Sequence, residues 1–281
     1  MCPVPTVERR ALEKIYLSTA GHHWHNNHNW LSECRVATWY KVGVLASNVH
    51  SLVMSSNNMR GSLPAEISEL KQLRMIELAT MPGLVGIIPP TITSLTGLRR
   101  LCICRCGLRG RIPDSIGNLR QLEELQLFGN ALVGKLPNSM EQLTNLRLLS
   151  LGEYTGGNRF EPAAIPEFIS QMTRLEAIFL ANCNLIGPVP NWIGNLRELR
   201  QLDLQNNQLY GRLPKEVGNL SNLLYLNLKD NPALNGELPL EHLVRLVKLN
   251  RLSLVNCGFS NSSDIADLLQ TRLPRCRIWV S

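Results

Sequence analysis

Apolar and polar positions along this chain follow a fixed grammar. A Leu-x-x-Leu-x-Leu-x-x-Asn/Cys pattern recurs from Val49 to Cys257, with copies followed by Leu-x-Gly-x-Leu/Ile-Pro. The opening apolar positions are Val49, Leu73, Leu98, Leu122, Leu146, Leu175, Leu199, Leu223 and Leu249, spaced by 24, 25, 24, 24, 29, 24, 24 and 26 residues. One such copy cannot bury its own apolar face, so the copies must stack into a solenoid. In the copy that starts at Leu199, alternate leucines point inward and predict a short strand. Asn207 then turns the chain, its amide serving backbone groups of the neighbouring coil, as at Asn57, Asn130 and Asn231. Pro214 belongs on the return leg, and Val217 and Leu220 come back to the core. Nine strands at ~4.8 Å spacing predict a parallel concave sheet about 38 Å long.

The ends depart from the period. Residues 1–48 form an expected cap: Thr6 caps a helix from about Val7 to Ser18, with Val7, Ala11, Leu12 and Ile15 on its buried face. Trp24, Trp30 and Trp39 then cover the first coil. Repeats fill 49–257. Residues 258–281 form the second cap, with Ser263 starting a helix that carries Ile265, Ala266, Leu268 and Leu269. A last strand over 274–280 follows, its Trp279 laid against the final coil. The copy from Leu146 carries about five extra residues, judged by its spacing of 29. They loop out over 155–162 and displace the Gly-x-Ile-Pro step to Ala164-Ile165-Pro166.

The residue pattern resembles the plant-type leucine-rich repeat. Leu108-x-Gly110-x-Ile112-Pro113-x-x-Ile116-Gly117-Asn118-Leu119 and the matching run from Leu185 to Leu196 are near-complete copies, and Leu209 to Leu220 is a third. The stretches Ala11-Leu12, Tyr16 to Gly21, Trp24, Asn29 to Ser32, and Trp39-x-x-Val42-Gly43-Val44 are similar to the cap that precedes such repeats. The resemblance implies an α/β solenoid: a right-handed horseshoe of about nine coils with a parallel concave sheet and a second layer of short strands. It also implies recognition of proteins, peptides or small ligands on the concave face.

Composition refines this picture. A hydrophobic share of 44% against 18% charged residues supports a continuous core. The net charge of +7 is concentrated at Arg99, Arg100, Arg105, Arg109, Arg111 and Arg120. This cluster reads as solvated surface or, more sharply, as a patch for an acidic partner. Nucleic acid is disfavoured, because no aromatic residues interleave with the arginines. No apolar run reaches the ~20 residues of a membrane span, and no secretory leader is read at the N-terminus. The expected location is therefore cytoplasmic, with secretion as the alternative if a leader is missing. Cys106, Cys183 and Cys257 fill the Asn/Cys slot, while Cys102 and Cys104 are expected on the open face. Neither Cys102-x-Cys104-x-Cys106 nor His22-His23-Trp24-His25-x-x-His28 completes a metal site. Asn219-Leu-Ser221 and Asn261-Ser-Ser263 are sequons whose meaning depends on secretion.

The chain carries no catalytic motif, and no cofactor is expected. The open face is expected to hold a protein or peptide partner through Arg100, Glu124, Phe128, Leu148, Phe179, Gln201, Asp203, Tyr225, Asn227 and Lys229, with Glu153 and Tyr154 beside the inserted loop. Aromatic anchors there are expected to be ringed by Glu124, Asp203 and Lys229. The functional expectation is a non-catalytic interaction module with a signalling or scaffold role. The alternatives are a secreted or receptor-type ligand-binding ectodomain, a protein inhibitor, and a self-associating structural repeat.

Overall fold

The structure is a computed structural model that describes residues 4–260 and 268–280. Cys2, the helix start at Ser263 with Ile265 and Ala266, and the Asn261 sequon lie outside the described residues. Packing divides the chain into two compact units, Met1–Asn145 and Leu146–Ser281.

The first unit begins with helix α1, Thr6–Ser18. It differs from expectation at its start. Thr6 is already helical, Pro5 occupies the capping position, and no side-chain cap forms. The buried stripe is Glu8, Ala11, Leu12 and Ile15, an i, i+3, i+4, i+7 set, whereas Val7 is 49% exposed. Glu8 fits because its carboxylate accepts the Val49 N–H at 2.7 Å, at the edge of the first coil. Burial pushes the Glu8 carboxyl above its ordinary range, and the Val49 hydrogen bond opposes the shift. Tyr16, Trp24, Trp30 and Trp39 form a continuous aromatic run with ring centroids 4.9–5.2 Å apart from Tyr16 to Trp24, Trp24 to Trp30 and Trp30 to Trp39. The Arg9 guanidinium closes it, 5.2 Å from the Trp39 ring.

Strands β1 (Val42–Leu45), β2 (Asn48–Ser55), β3 (Gly61–Ser62), β4 (Met75–Gly86), β5 (Arg100–Gly110), β6 (Glu124–Gln126) and β7 (Ala131–Gly134) follow. β1 pairs antiparallel with β2; β2, β4, β5 and β6 then run parallel in that order, and β3 and β7 pair with β4 and β5 as outer short strands. Each return leg holds a short 3₁₀ turn, such as Ala65–Glu69, Pro90–Ser94 or Asn138–Gln142. In these three a proline at or next to the start pre-sets the backbone. These turns send Ile67 and Leu70, Ile92 and Leu95, and Met140 and Leu143 into the core.

The second unit repeats the scheme. Its strands are β8 (Leu148–Ser150), β9 (Arg159–Phe160), β10 (Ala177–Phe179), β11 (Ile186–Gly187), β12 (Gln201–Asp203), β13 (Gln208–Gly211), β14 (Tyr225–Asn227), β15 (Asn231–Gly236), β16 (Arg251–Ser253), β17 (Cys257–Phe259) and β18 (Arg277–Trp279). β8, β10, β12, β14, β16 and β18 form one parallel run, and β11, β13, β15 and β17 form a second layer. Trp279 departs from its expected place. It is 44% exposed, because strand alternation gives the inward position to Ile278, in register with buried Leu252.

The Asn/Cys slot is a hydrogen-bonding device. Asn207 donates from Nδ2 to the carbonyls of Leu204 in its own coil and Leu180 in the preceding one, both at 2.9 Å. Its Oδ1 accepts the N–H groups of Cys183 and Leu185. Asn130 and Asn231 act likewise. Cys106 and Cys257 keep one arm of this pattern, their thiols donating to Leu78 O and Leu228 O. Asn57 instead faces the cap, exchanging hydrogen bonds with the backbone of Asn26.

Candidate ligand-binding face

Because strand residues alternate, each parallel run presents two rows of side chains on its open face. In the second unit the first row is Leu148, Ala177, Gln201, Tyr225, Arg251 and Arg277, each in register with the next. The second row is Ser150, Phe179, Asp203, Asn227, Ser253 and Trp279. Leu148, Phe179 and Tyr225 are half-buried and Gln201 is exposed.

Asp203 and Asn227 are buried, so Asp203 forms part of the floor rather than the rim expected for it. The Asp203 carboxylate accepts Gln205 N–H and Gln205 Nε2, both at 3.1 Å, and the Tyr225 hydroxyl at 3.4 Å. A side-chain hydrogen bond with Asn227 completes its surroundings. Burial still raises the Asp203 carboxyl above its ordinary range, against the pull of those hydrogen bonds. Burial first, and the Asp203 charge second, push the Tyr225 phenol up to about 12.

The inserted loop leaves the end of β8 and is held by residues just beyond the ends of β10 and β14. Lys229 Nζ, at the end of β14, lies 5.1 Å from the centre of the Tyr154 ring. Asn182 Nδ2 donates to Gly156 O, and Glu153 is half-buried at the loop's base. The loop returns at Asn158, a buried residue whose Nδ2 donates to Leu151 O at 2.7 Å. Asn130 makes the equivalent bond to Leu127 three residues back; Asn158 makes it across seven. Asn158 is thus the slot asparagine of its coil, displaced by Tyr154, Thr155, Gly156 and Gly157. Under the loop lies a polar pocket of about 550 Å³ lined by Asn158, Asn182, Asn184, Asn206 and Gln208 among others. Its amides are largely spent on the protein itself: Asn184 donates to Phe160 O, and Gln208 to Asn184.

The first unit holds the other expected site residues. Arg100 bridges Glu124 at 2.6 Å and Glu77 at 3.4 Å, and Arg99 pairs with Glu123. Phe128 is half-buried with the Arg105 guanidinium 5.5 Å from its ring centre. Two of the cluster's six arginines, Arg99 and Arg100, are therefore paired with acids in place. Cys102 and Cys104 are buried rather than open, because Cys102 sits between the longer Glu77 and Gln126 and its thiol meets that of Cys104. Among the described residues no group of three His, Cys, Asp or Glu side chains converges as a metal site. His25, from the histidine tract, turns Nδ1 to Ser56 O. Gln205, on the open face just past β12, and Arg105, within β5 at a positive φ, touch expected site residues although neither was among them.

Comparison with known proteins sharpens this. Residues 31–183 match the family described as the leucine-rich repeat region, and 174–196 and 198–220 match single leucine-rich repeats. A polygalacturonase inhibitor from Pyrus communis is 31% identical over 75 residues, which is 26% of this chain and 23% of the inhibitor. The Arabidopsis receptor kinase HAESA, solved with the peptide hormone IDA and a co-receptor, is 28% identical with a TM-score of 0.73. That match covers 91% of this chain and 46% of the receptor chain. The leucine-rich-repeat ectodomain of the Arabidopsis thaliana membrane receptor kinase GASSHO1/SCHENGEN3 is 26% identical with a TM-score of 0.72, over 90% of this chain and 33% of that one. This chain thus spans less than half the length of each of these relatives. An ectodomain of a membrane receptor among them points away from the cytoplasm, which corrects the expected location. Among the described residues no helix is long and apolar enough to cross a membrane.

Proposed function

Since this chain belongs to the leucine-rich-repeat family, we propose that it is a non-catalytic recognition module that binds a peptide, or an exposed segment of a protein, outside the cytoplasm. The open face of β10, β12 and β14 is its binding surface. One observation carries the reading: Phe179 and Tyr225 stand half-buried on strands flanking β12, on the open face of the sheet. Aromatic side chains in such a setting supply large contact area at little entropic cost. The peptide-bound receptor solved at 28% identity supports it.

Leu148, Gln201, Asn227, Lys229, Glu153 and Tyr154 surround these anchors within the second unit. Arg100, Glu124 and Phe128 belong to the first unit, where Arg100 and Glu124 serve a local ion-pair ladder. The proposed organisation is a cap over 1–48, repeats over 49–257 and a second cap over 258–281.

Replacing Phe179 and Tyr225 together with serine tests the proposal. The double variant should lose partner capture from native extract, confirmed with the purified binder, while its thermal midpoint stays nearly unchanged. Undiminished binding would refute the assignment of the face. A second reading, inhibition of a secreted enzyme by direct contact, draws on the 75-residue match to the inhibitor. It predicts that the captured partner is an enzyme whose activity falls on binding.

A further inference from the structure

Asp203 is a buried carboxylate with no cation to answer it. It is only 7% exposed. Its contacts are the amide N–H groups of Gln205, the Tyr225 hydroxyl and a side-chain hydrogen bond with Asn227. No ion pair reaches it among the described residues. Nearby positive charges are committed or remote in sequence register. Lys229 lies over the Tyr154 ring and 3.8 Å from Asp230, and Arg251 stands one strand beyond Tyr225. Burying a carboxylate without a counter-ion destabilises a fold. An asparagine in the same place would keep much of the hydrogen bonding without that cost.

The surroundings say what would offset it. Phe179 lies in register with Asp203 on one neighbouring strand, and Tyr225 reaches the carboxylate from the other. Aromatic faces beside a carboxylate suit a cation, which gains from both the rings and the charge. The Gln205 amide folds back onto Asp203 and occupies the place of a planar donor. A guanidinium offers N–H donors in a similar plane and adds a full positive charge.

We propose that Asp203, Phe179 and Tyr225 form a cation-recognition pocket that takes a basic side chain, arginine foremost, of the bound peptide. The incoming guanidinium displaces the Gln205 side chain from the carboxylate and lies between the two aromatic rings. This rests on the peptide-binding reading of the same face and gives the ligand its chemistry: basic at its anchor, despite the chain's own net charge of +7. The pocket should strengthen as pH rises and Asp203 ionises. The other titratable groups facing it are Tyr225, pushed up to about 12, and Cys183, also pushed up to about 12 by burial and then by the Asp203 charge. Neither titrates in the acid range where Asp203 does.

Two libraries of capped hexapeptides test it, one with arginine and one with citrulline fixed at the centre and the rest random. Retention by the fluorescently labelled full chain is measured for the wild type, Asp203→Asn and the Phe179→Ser/Tyr225→Ser variant. The wild type should favour the arginine library about tenfold, a preference that grows from pH 4 to pH 7. Asp203→Asn should retain both libraries equally, with a thermal midpoint unchanged or raised. An equal wild-type response to the two libraries, a preference that survives Asp203→Asn, or a marked fall in its midpoint would overturn the pocket. If the double variant still loses both libraries, the peptide-binding face stands without it. If every variant retains both libraries alike, the peptide-binding face falls too.

Discussion

Single side chains here do work that their residue type does not announce. Asn207 contacts five backbone groups in two adjacent coils. Asn207→Ala should therefore cost about 2–5 kcal/mol, since buried polar groups left unpaired are each expensive. Asn207→Cys should cost less, because Cys106 and Cys257 show that a thiol keeps one arm of the bond; urea denaturation ranks the two. Glu8 offers a second case. Glu8→Ala should cost about 1–3 kcal/mol by orphaning the Val49 N–H, whereas Glu8→Gln keeps an acceptor. The pH dependence has a definite sign. A carboxyl raised by burial holds its proton more tightly when folded, so its contribution is present below the unfolded pKa and fades as pH rises through the folded one. Glu8→Gln should thus match the wild type near pH 3 and overtake it towards pH 7.

At the scale of the element, the repeat was legible because its period is redundant. Leucine spacing alone predicts where strands open, and the Asn/Cys slot follows from it. The helix face was misread by one position. Val7 looks apolar, but the 3.6-residue period through Ala11, Leu12 and Ile15 selects Glu8, and only a distant backbone N–H explains a carboxylate there. The insertion was visible as a long spacing, yet its shape was not. Asn158 could have been found by asking which asparagine after Leu151 refills the slot. Asp203 is different in kind: no pattern tells a rim carboxylate from a buried one. The displaced slot makes a sharp prediction. Deleting Tyr154 to Gly157 joins Glu153 to Asn158 and restores Leu-x-x-Asn, so the thermal midpoint should move by no more than a few degrees while ligand affinity changes. Gly152→Ala should be far more damaging. Its Cβ would lie 1.8 Å from Ala181 O, a backbone atom with little room to yield.

For the molecule as a whole, binding rather than chemistry is what the stacked coils provide. Within the arginine cluster Arg99 and Arg100 are held by acids and Arg105 lies over Phe128, so these side chains are engaged within the first unit. Affinity should consequently depend on the second unit's aromatic face more than on the first unit's arginines. Hydrogen exchange on ligand addition should slow at β10, β12 and β14. The most direct measurement is calorimetric titration of a display-selected peptide into the intact chain and into the Phe179→Ser/Tyr225→Ser variant. Loss of two aromatic anchors that together contribute about 2 kcal/mol or more predicts an affinity at least roughly thirtyfold weaker. Equal dissociation constants for the two proteins would contradict the account.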